Sequence, residues 1–95
     1  MEELFIIKIG GETISNKGAL KSCLEVISKS GQKIILVHGG GKKVTELGVK
    51  LGIPQEMIDG RRITSDETLE LCTMVYAGSI SKNIVAGLCA QNRLA

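Results

Sequence analysis

Two glycine-rich segments of this chain each follow directly on a run of apolar residues. Two glycines at 10–11 follow the run Leu4–Ile9, and three glycines at 39–41 follow a second run that ends at His38. Glycine lets the backbone approach an anion closely, and the N–H groups that open the following helix point at that anion. Two such loops at the ends of neighbouring parallel strands face a single crevice. The pattern therefore predicts a site where a phosphoryl group passes between two bound molecules.

The three consecutive glycines at 39–41 carry the strongest local signal. Neither of the nucleotide-binding spacings GxxxxGK[ST] and GxGxxG is present. A tight turn is the simpler explanation, but each glycine costs roughly 0.5–1 kcal/mol relative to alanine inside regular structure. Three in a row exceed what a turn needs. We interpret the segment as a cradle for a phosphate or a carboxylate.

Three kinds of cationic side chain accompany the glycines. Lys8 interrupts an apolar strand, where it either neutralises a transferring phosphoryl group or extends to solvent at the strand end. Arg61 and Arg62 follow a turn signal, and strand alternation lets only one of them face the crevice to clamp a carboxylate. On the residues alone, a solvated basic pair is the preferred explanation of the two arginines. We interpret His38 as a structural imidazole that bonds to the backbone, rather than as a base.

Composition restricts the classes of function. The chain has 95 residues, a net charge of +2, 43% hydrophobic residues and only 2% aromatic residues, which predicts one small domain with an aliphatic core. The weak, mixed charge gives no support for nucleic-acid binding. Three cysteines without a CxxC spacing predict reduced thiols, no metal site and a cytoplasmic location. No segment is long enough to span a membrane.

The order of predicted elements is strand, helix, strand, helix, hairpin, helix. The predicted bounds are strands at 4–9 and 33–37, a helix at 41–51 and a hairpin within 53–63 that turns at Asp59-Gly60. A long helix is predicted from a capping box at 64–67 towards 91, and Gly78 is predicted to bend or interrupt it. This order predicts an α/β fold. Two parallel strands and a hairpin cannot bury their own faces, so we expect the chain to be a piece of a larger domain. The apolar faces predicted for the helices are Leu20, Cys23, Leu24 and Ile27, then Val44, Leu47 and Leu51, and then Leu69, Cys72, Val75, Tyr76, Ile80, Ile84 and Leu88.

Three motifs resemble those of the amino-acid kinase family. They are KIGG at 8–11, HGGG at 38–41 and GRRIT at 60–64, and the resemblance continues through MVYAG at 74–78 and KN at 82–83. HGGG followed by GxRxT at this distance is more specific than KxGG alone. The resemblance implies a three-layer α/β/α sandwich with a mainly parallel sheet. Residues 1–95 would form its N-terminal, substrate-binding portion, and the ATP-binding half would be absent from this chain.

The resemblance also implies an activity. It points to a kinase of arginine biosynthesis that uses ATP and Mg²⁺ to phosphorylate the side-chain carboxylate of N-acetylglutamate or another N-acylglutamate. A kinase acting on carrier-linked aminoadipate or glutamate is the nearest alternative, and a non-catalytic small-molecule-binding module is another. By itself, this chain is expected to have little or no kinase activity.

Residue roles follow from the resemblance position by position. Lys8 is implied to stabilise the transition state, and backbone N–H groups of Gly11 and Gly40 to bind the moving phosphoryl group. No metal ligand is implied in this chain. The residues implied to contact ATP are Lys8, Gly10 and Gly11, and those implied to contact the substrate are Gly40, Gly41 and Arg62.

The resemblance implies two further features of the assembled protein. The hairpin within 53–63 would act as a lid over the substrate. The third helix would form a homodimer, and a chain that starts directly at its first strand would favour this simple dimer over an arginine-inhibited hexamer.

Overall fold

A two-stranded parallel sheet and the helices packed on it form the body of the chain, and a separate hairpin extends from it. The structure is a computed structural model that describes residues 3–95. The elements follow the predicted order, with one short additional helix after the first strand. They are β1 (Leu4–Ile9), α1 (Gly11–Ser15), α2 (Lys17–Lys29), β2 (Lys33–His38), α3 (Gly41–Lys50), β3 (Glu56–Ile58), β4 (Arg61–Ile63), α4 (Asp66–Thr73), a π-helical segment (Met74–Ile80) and α5 (Ser81–Ala90).

The two long strands pair in parallel over their whole length. Leu4 pairs with Lys33 at one end and Ile9 with His38 at the other. The Gly39 N–H donates to the Ile9 carbonyl at 2.9 Å, which continues the ladder by one bond. Both strands therefore end at the same edge, and the prediction of an α/β fold with parallel strands is confirmed.

Only one face of this sheet is covered by residues 3–95. Ile7 and Ile9 of β1 turn towards the helices, whereas Ile6 is 71% exposed and its neighbour Ile35 on β2 is 49% exposed. This agrees with the expectation that two parallel strands and a hairpin cannot bury their own faces. The reason is that the described helices supply a layer on a single side of the sheet.

The core is aliphatic, as the composition predicted. It joins the carboxyl end of β1 to all the helices, and the nearby side chains of β2 pack against it. No helix within residues 3–95 has the length and apolar character needed to cross a membrane. The buried hydrophobic residues are Ile9, Ile14, Leu24, Ile27, Val44, Leu71, Val75, Ile80, Ile84 and Leu88.

Helix α3 buries a different face from the one that its sequence suggested. Val44 is fully buried as predicted, but Leu47 and Leu51 are exposed. The second buried position of the helix is Gly48. The helix ends where expected, and Gly52 adopts the positive φ of 72° that glycine tolerates best.

The start of α4 differs from the predicted capping box by one position. Ser65, not Thr64, is the N-cap, and its hydroxyl accepts the Thr68 N–H at 3.2 Å. Glu67 therefore lies at the second helical position and cannot complete the box. The Ser65 hydroxyl instead donates to the Thr68 hydroxyl at 3.1 Å.

The long helix contains an extra residue in its middle turn. Leu71 is fully buried, whereas Leu69, which the sequence pattern placed on the apolar stripe, is 58% exposed. The π-helical segment includes Gly78, so the predicted interruption at this glycine is confirmed. A π turn adds one residue to the repeat and keeps both ends of the segment on the core side. The buried apolar residues of the helix are Leu71, Val75, Ile80, Ile84 and Leu88, spaced four, five, four and four residues apart.

Candidate active site

The two glycine loops, residues 10–11 and 39–41, meet at the carboxyl edge of the sheet. A Cβ atom on Gly39 would lie 3.6 Å from the Gly11 nitrogen, and one on Gly11 would lie 3.9 Å from the Gly40 nitrogen. The backbone N–H groups that open α1 and α3 therefore converge. The predicted shared crevice is confirmed, because parallel pairing ends both strands together.

Gly40 is required by its surroundings as well as by its conformation. Its φ is +143°, and a Cβ atom there would lie 2.1 Å from Cδ1 of the buried Ile80. Gly10, in contrast, has a φ of −77° and open space where a side chain would begin. The second glycine loop thus packs directly against the π-helical segment. This packing explains why the loop has a glycine at position 40.

The amino end of α3 is open to an anion. Its N-cap, Gly40, has no side chain that could bond to the first-turn N–H groups, and the first turn contains no acidic residue. Lys42 and Lys43 lie in that turn. Unpaired N–H groups and the positive end of the helix dipole favour a negatively charged ligand at this position.

Arg62 extends from β4 across the first turns of α3. Its Nη2 donates to the Gly41 carbonyl at 2.9 Å and to the Thr45 hydroxyl at 3.0 Å, and its Nη1 donates to Gln55 Oε1 at 2.5 Å. The side chain of Arg62 is half-buried, whereas Arg61 is exposed. The prediction that only one of the two arginines faces the crevice is therefore confirmed.

The Arg62 guanidinium retains donors for a ligand. It has five N–H groups, and three hydrogen bonds occupy at most three of them. Nη2 donates twice, so both of its hydrogens are used, and the free donors are Nε–H and the second hydrogen of Nη1. A ligand carboxylate can accept a single hydrogen bond from either of these, whereas a bidentate pair requires the release of one Nη2 bond.

Tyr76 is a residue of this site that sequence reasoning missed. A Cβ atom on Gly41 would lie 3.6 Å from the Tyr76 hydroxyl oxygen and 3.6 Å from Arg62 Nη2, so both polar groups lie above the same glycine. The hydroxyl makes no hydrogen bond within residues 3–95. The sequence pattern placed Tyr76 on an apolar stripe, and the one usable signal was a lone tyrosine among aliphatic residues.

The imidazole of His38 is held at the end of β2. Its Nδ1 lies 2.9 Å from the carbonyl oxygen of Gly39. A carbonyl oxygen only accepts, so Nδ1 carries the proton. The ring centroid of Tyr76 lies 6.3 Å away. The predicted bond of His38 to the backbone at the strand end is confirmed.

Lys8 lies on the open face of the sheet, opposite Val37 in the parallel register. The side chain is exposed and makes no hydrogen bond or ion pair with another residue of the described chain. The structure therefore places Lys8 at the correct edge of the sheet, next to the first glycine loop along the chain, without a contact to either loop.

Protein ligands for a metal ion do not assemble in the described residues. No three side chains of His, Cys, Asp or Glu within 3–95 come close enough to hold one.

A sequence profile described as the Amino acid kinase family matches residues 3–92. Among curated relatives, the acetylglutamate kinase of Cytophaga hutchinsonii is 54% identical over 88 residues, which cover 93% of this chain and 33% of that protein. The acetylglutamate kinase of Parabacteroides distasonis is 47% identical over 88 residues, which cover 93% of this chain and 34% of that protein. The chain thus spans about a third of the length of these relatives.

Solved structures share the fold. The protein smu.665 from Streptococcus mutans UA159 superposes with a TM-score of 0.77 at 27% identity, covering 97% of this chain and 38% of that one. N-acetylglutamate synthase from Neisseria gonorrhoeae superposes with a TM-score of 0.72 at 23% identity, covering 93% of this chain and 21% of that one. At such low identity, the second likeness concerns the fold alone.

Proposed function

Because this chain belongs to the amino acid kinase family, we propose that it forms the N-terminal, substrate-binding part of an acetylglutamate kinase. The proposed reaction transfers the γ-phosphoryl group of ATP to the side-chain carboxylate of N-acetylglutamate and yields an acyl phosphate, as a step of arginine biosynthesis in the cytoplasm. The observation that carries this proposal is the convergence of the two glycine loops beside the guanidinium of Arg62.

Arg62 is proposed to bind the α-carboxylate of the substrate. A guanidinium and a carboxylate match in charge, and Arg62 is held beside Gly41 with Nε–H and one Nη1 hydrogen free to donate. The N–H groups of Gly40 and Gly41 then contact the same substrate. Tyr76, whose hydroxyl also lies near Gly41, supplies a further polar contact. This arrangement orients the substrate with its side chain towards the first loop.

The phosphoryl group is proposed to pass between the two loops. Backbone N–H groups of Gly11 and Gly40 bind its oxygens, and Lys8 neutralises charge that develops during transfer, while Gly10 and Gly11 let the nucleotide approach. The attacking carboxylate is already ionised at neutral pH, so the reaction needs no base.

The residues present fit the phosphates of ATP better than they fit a bare metal ion. The N-cap of α3 has no capping side chain, which suits a phosphate oxygen. Mg²⁺, when bound with the nucleotide, supplies charge neutralisation at the phosphates. The described residues contribute no carboxylate cluster to that ion.

A homodimer through the long helix is part of the proposal. Leu69 and Met74 lie on this helix and are both more than half exposed, although they are large apolar side chains. Their position outside the core leaves an apolar patch on α4 and the π-helical segment. A second copy of the chain is the proposed cover for that patch.

Titration calorimetry with N-acetylglutamate tests the substrate site. The unaltered chain is expected to bind it, and Arg62→Ala to weaken binding at least about tenfold, because removing a carboxylate-binding guanidinium typically costs 2 kcal/mol or more. Arg61→Ala is the matched control, since this neighbouring arginine is exposed, and its affinity should stay within about twofold. Equal affinities of the two variants would contradict the proposal.

The same titration separates the alternatives. Tighter binding of an N-acylated aminoadipate than of N-acetylglutamate would favour the carrier-linked kinase. A folded chain that binds neither ligand would favour the non-catalytic module.

A further inference from the structure

The side chain of Gln55 lies directly on the backbone of α3. A Cβ atom on Gly48 would lie 2.6 Å from Gln55 Nε2 and 2.8 Å from its Cδ. Such distances are shorter than any normal contact, so the amide can occupy this place only because residue 48 has no side chain. Gln55 immediately precedes the β3–β4 hairpin, and its contact therefore joins the start of the hairpin to the helix.

The orientation of the Gln55 amide is fixed by its own loop. Nε2 donates to the carbonyls of Ile53 and Pro54, both at 3.2 Å. The carbonyl end, Oε1, is left to face Arg62 and accepts from its Nη1 at 2.5 Å. Reversing the amide would lose all three bonds, so Gln55 presents an acceptor to Arg62.

The hairpin and its leading residue use one face of α3. Gly41, Thr45 and Gly48 are spaced four and three residues apart, which places them on the same side of a helix. Arg62 bonds to the first two, and Gln55 covers the third. The small size of these three residues lets the hairpin approach the helix closely.

We propose that Gln55, seated on Gly48, is a positioning residue that holds the Arg62 guanidinium in the orientation that binds the substrate carboxylate. The inference rests on the proposed function, because it takes Arg62 as the group that binds this carboxylate. A long arginine side chain loses much rotational freedom when it binds, and a contact that restricts it beforehand reduces that loss. Gln55 supplies the one acceptor for Arg62 that does not come from α3.

Two substitutions remove this contact in different ways. Gly48→Ala places a methyl group where the Gln55 amide lies, while alanine is the better helix former, so the melting temperature Tm should stay the same or rise. Gln55→Met keeps a side chain of similar length but has no carbonyl to accept from Arg62. Gly18→Ala is the matched control, because it is also a glycine-to-alanine change within a helix, α2, where an added Cβ atom would meet only Asn16 Oδ1 at an ordinary 3.5 Å.

The first readout is the nuclear magnetic resonance spectrum of the ligand-free 95-residue chain. In the unaltered chain, the Arg62 Nη hydrogens are expected to give separate signals, because hydrogen bonds slow rotation of the guanidinium. Gly48→Ala and Gln55→Met should average these signals, and Gly18→Ala should preserve them. Unchanged, separate Arg62 signals in both test variants would overturn the inference.

The second readout is the affinity for N-acetylglutamate. Both test variants should bind roughly three- to tenfold more weakly than the unaltered chain, the range expected for ordering one long side chain. If the unaltered chain binds and Gln55→Met binds equally well, the positioning role is overturned while the proposed function stands. If the unaltered chain does not bind, the proposed function fails, and the Arg62 signals alone decide the positioning role.

Discussion

Lys8 lies at the carboxyl end of β1, and its ammonium group forms no ion pair or hydrogen bond with another residue of 3–95. An exposed cation on an apolar sheet face, beside Ile6 along the same face, has no stabilising role in the described fold. The proposed role of Lys8 in neutralising charge on a ligand accounts for this position. Substitution of Lys8 should therefore change catalysis without a large change in the stability of the fold.

A chimera measures that chemistry directly. In it, this chain replaces the matching 88 residues of the Cytophaga hutchinsonii acetylglutamate kinase. Lys8→Met is expected to lower kcat by about 10²–10³, the usual effect of removing one group that stabilises transition-state charge, with a smaller change in KM for N-acetylglutamate. Lys29→Met, an exposed lysine at the end of α2, is the control. A kcat unaffected by Lys8→Met would remove this residue from the mechanism.

Gly40 carries a structural requirement that can be separated from its proposed contact with phosphate. Gly40→Ala should lower the free energy of unfolding by about 2–5 kcal/mol, because alanine is unfavourable at this positive φ and its methyl group would collide with the buried Ile80 side chain. Gly10→Ala, in the other loop, should change it by less than about 1 kcal/mol because its φ is ordinary and its surroundings are open. Denaturant unfolding of both variants checks this, and equal stabilities would show that the loop does not rest on Ile80.

At this scale, the sequence could identify residues whose chemistry is unusual in their local context. Glycine repeats, a lysine in an apolar strand and an arginine after a turn are visible without a structure, and the glycine loops and Arg62 do come together. Tyr76 and Gln55 were out of reach. Their importance comes from contacts with residues far along the chain, above Gly41 and Gly48 respectively, and no local pattern encodes those contacts.

At the scale of elements, the π-helical segment decides which side chains enter the core. A regular helix that buries Val75 would bury residue 79 next, but the extra residue of the π turn brings Ile80 to that side instead. Ile80 then supports Gly40, and Tyr76 reaches Gly41. The interruption of this helix thus connects the core to the candidate site, in keeping with the frequent occurrence of π turns at functional sites.

The register of the long helix can be tested with two leucines. Leu71→Ala should destabilise the fold by about 2–5 kcal/mol, since the side chain is fully buried, whereas Leu69→Ala should cost less than about 1 kcal/mol. Thermal or denaturant unfolding distinguishes them. The sequence pattern alone predicts the larger loss at Leu69, so a reversed order of stabilities would favour that pattern over the structure.

The elements themselves were largely predictable, and their partners were not. The hairpin turn is an example of success, because Asp59 and Gly60 have positive φ values of 51° and 76°, as a two-residue turn requires. The buried face of α3 is an example of failure. Periodicity favoured Leu47 and Leu51, but the helix packs through Val44 and Gly48, because the approach of neighbouring elements requires a small residue there.

At the scale of the whole molecule, the chain is more extended than a domain of its length. Its radius of gyration is 15.0 Å and its extents are 45 × 27 × 19 Å, compared with about 12 Å for the radius of gyration of a compact domain of similar size. The uncovered face of the parallel sheet and the projecting hairpin account for the difference. An apolar sheet face without a second layer favours association with any surface that can cover it.

We expect this sheet face to drive association of the 95-residue chain beyond the dimer proposed through α4. Sedimentation of the unaltered chain should show concentration-dependent species larger than a dimer. The double variant Ile6→Ser with Ile35→Ser should form nothing larger than the dimer, because both side chains are exposed and pair with each other on the open face. Val26→Ser is the matched control, since Val26 on α2 is as exposed as Ile6, at 71% each, but lies away from the sheet. A compact monomer at all concentrations would contradict the prediction. If Val26→Ser reduced association as much as the double variant, general surface hydrophobicity, rather than the missing layer on β1 and β2, would drive the association.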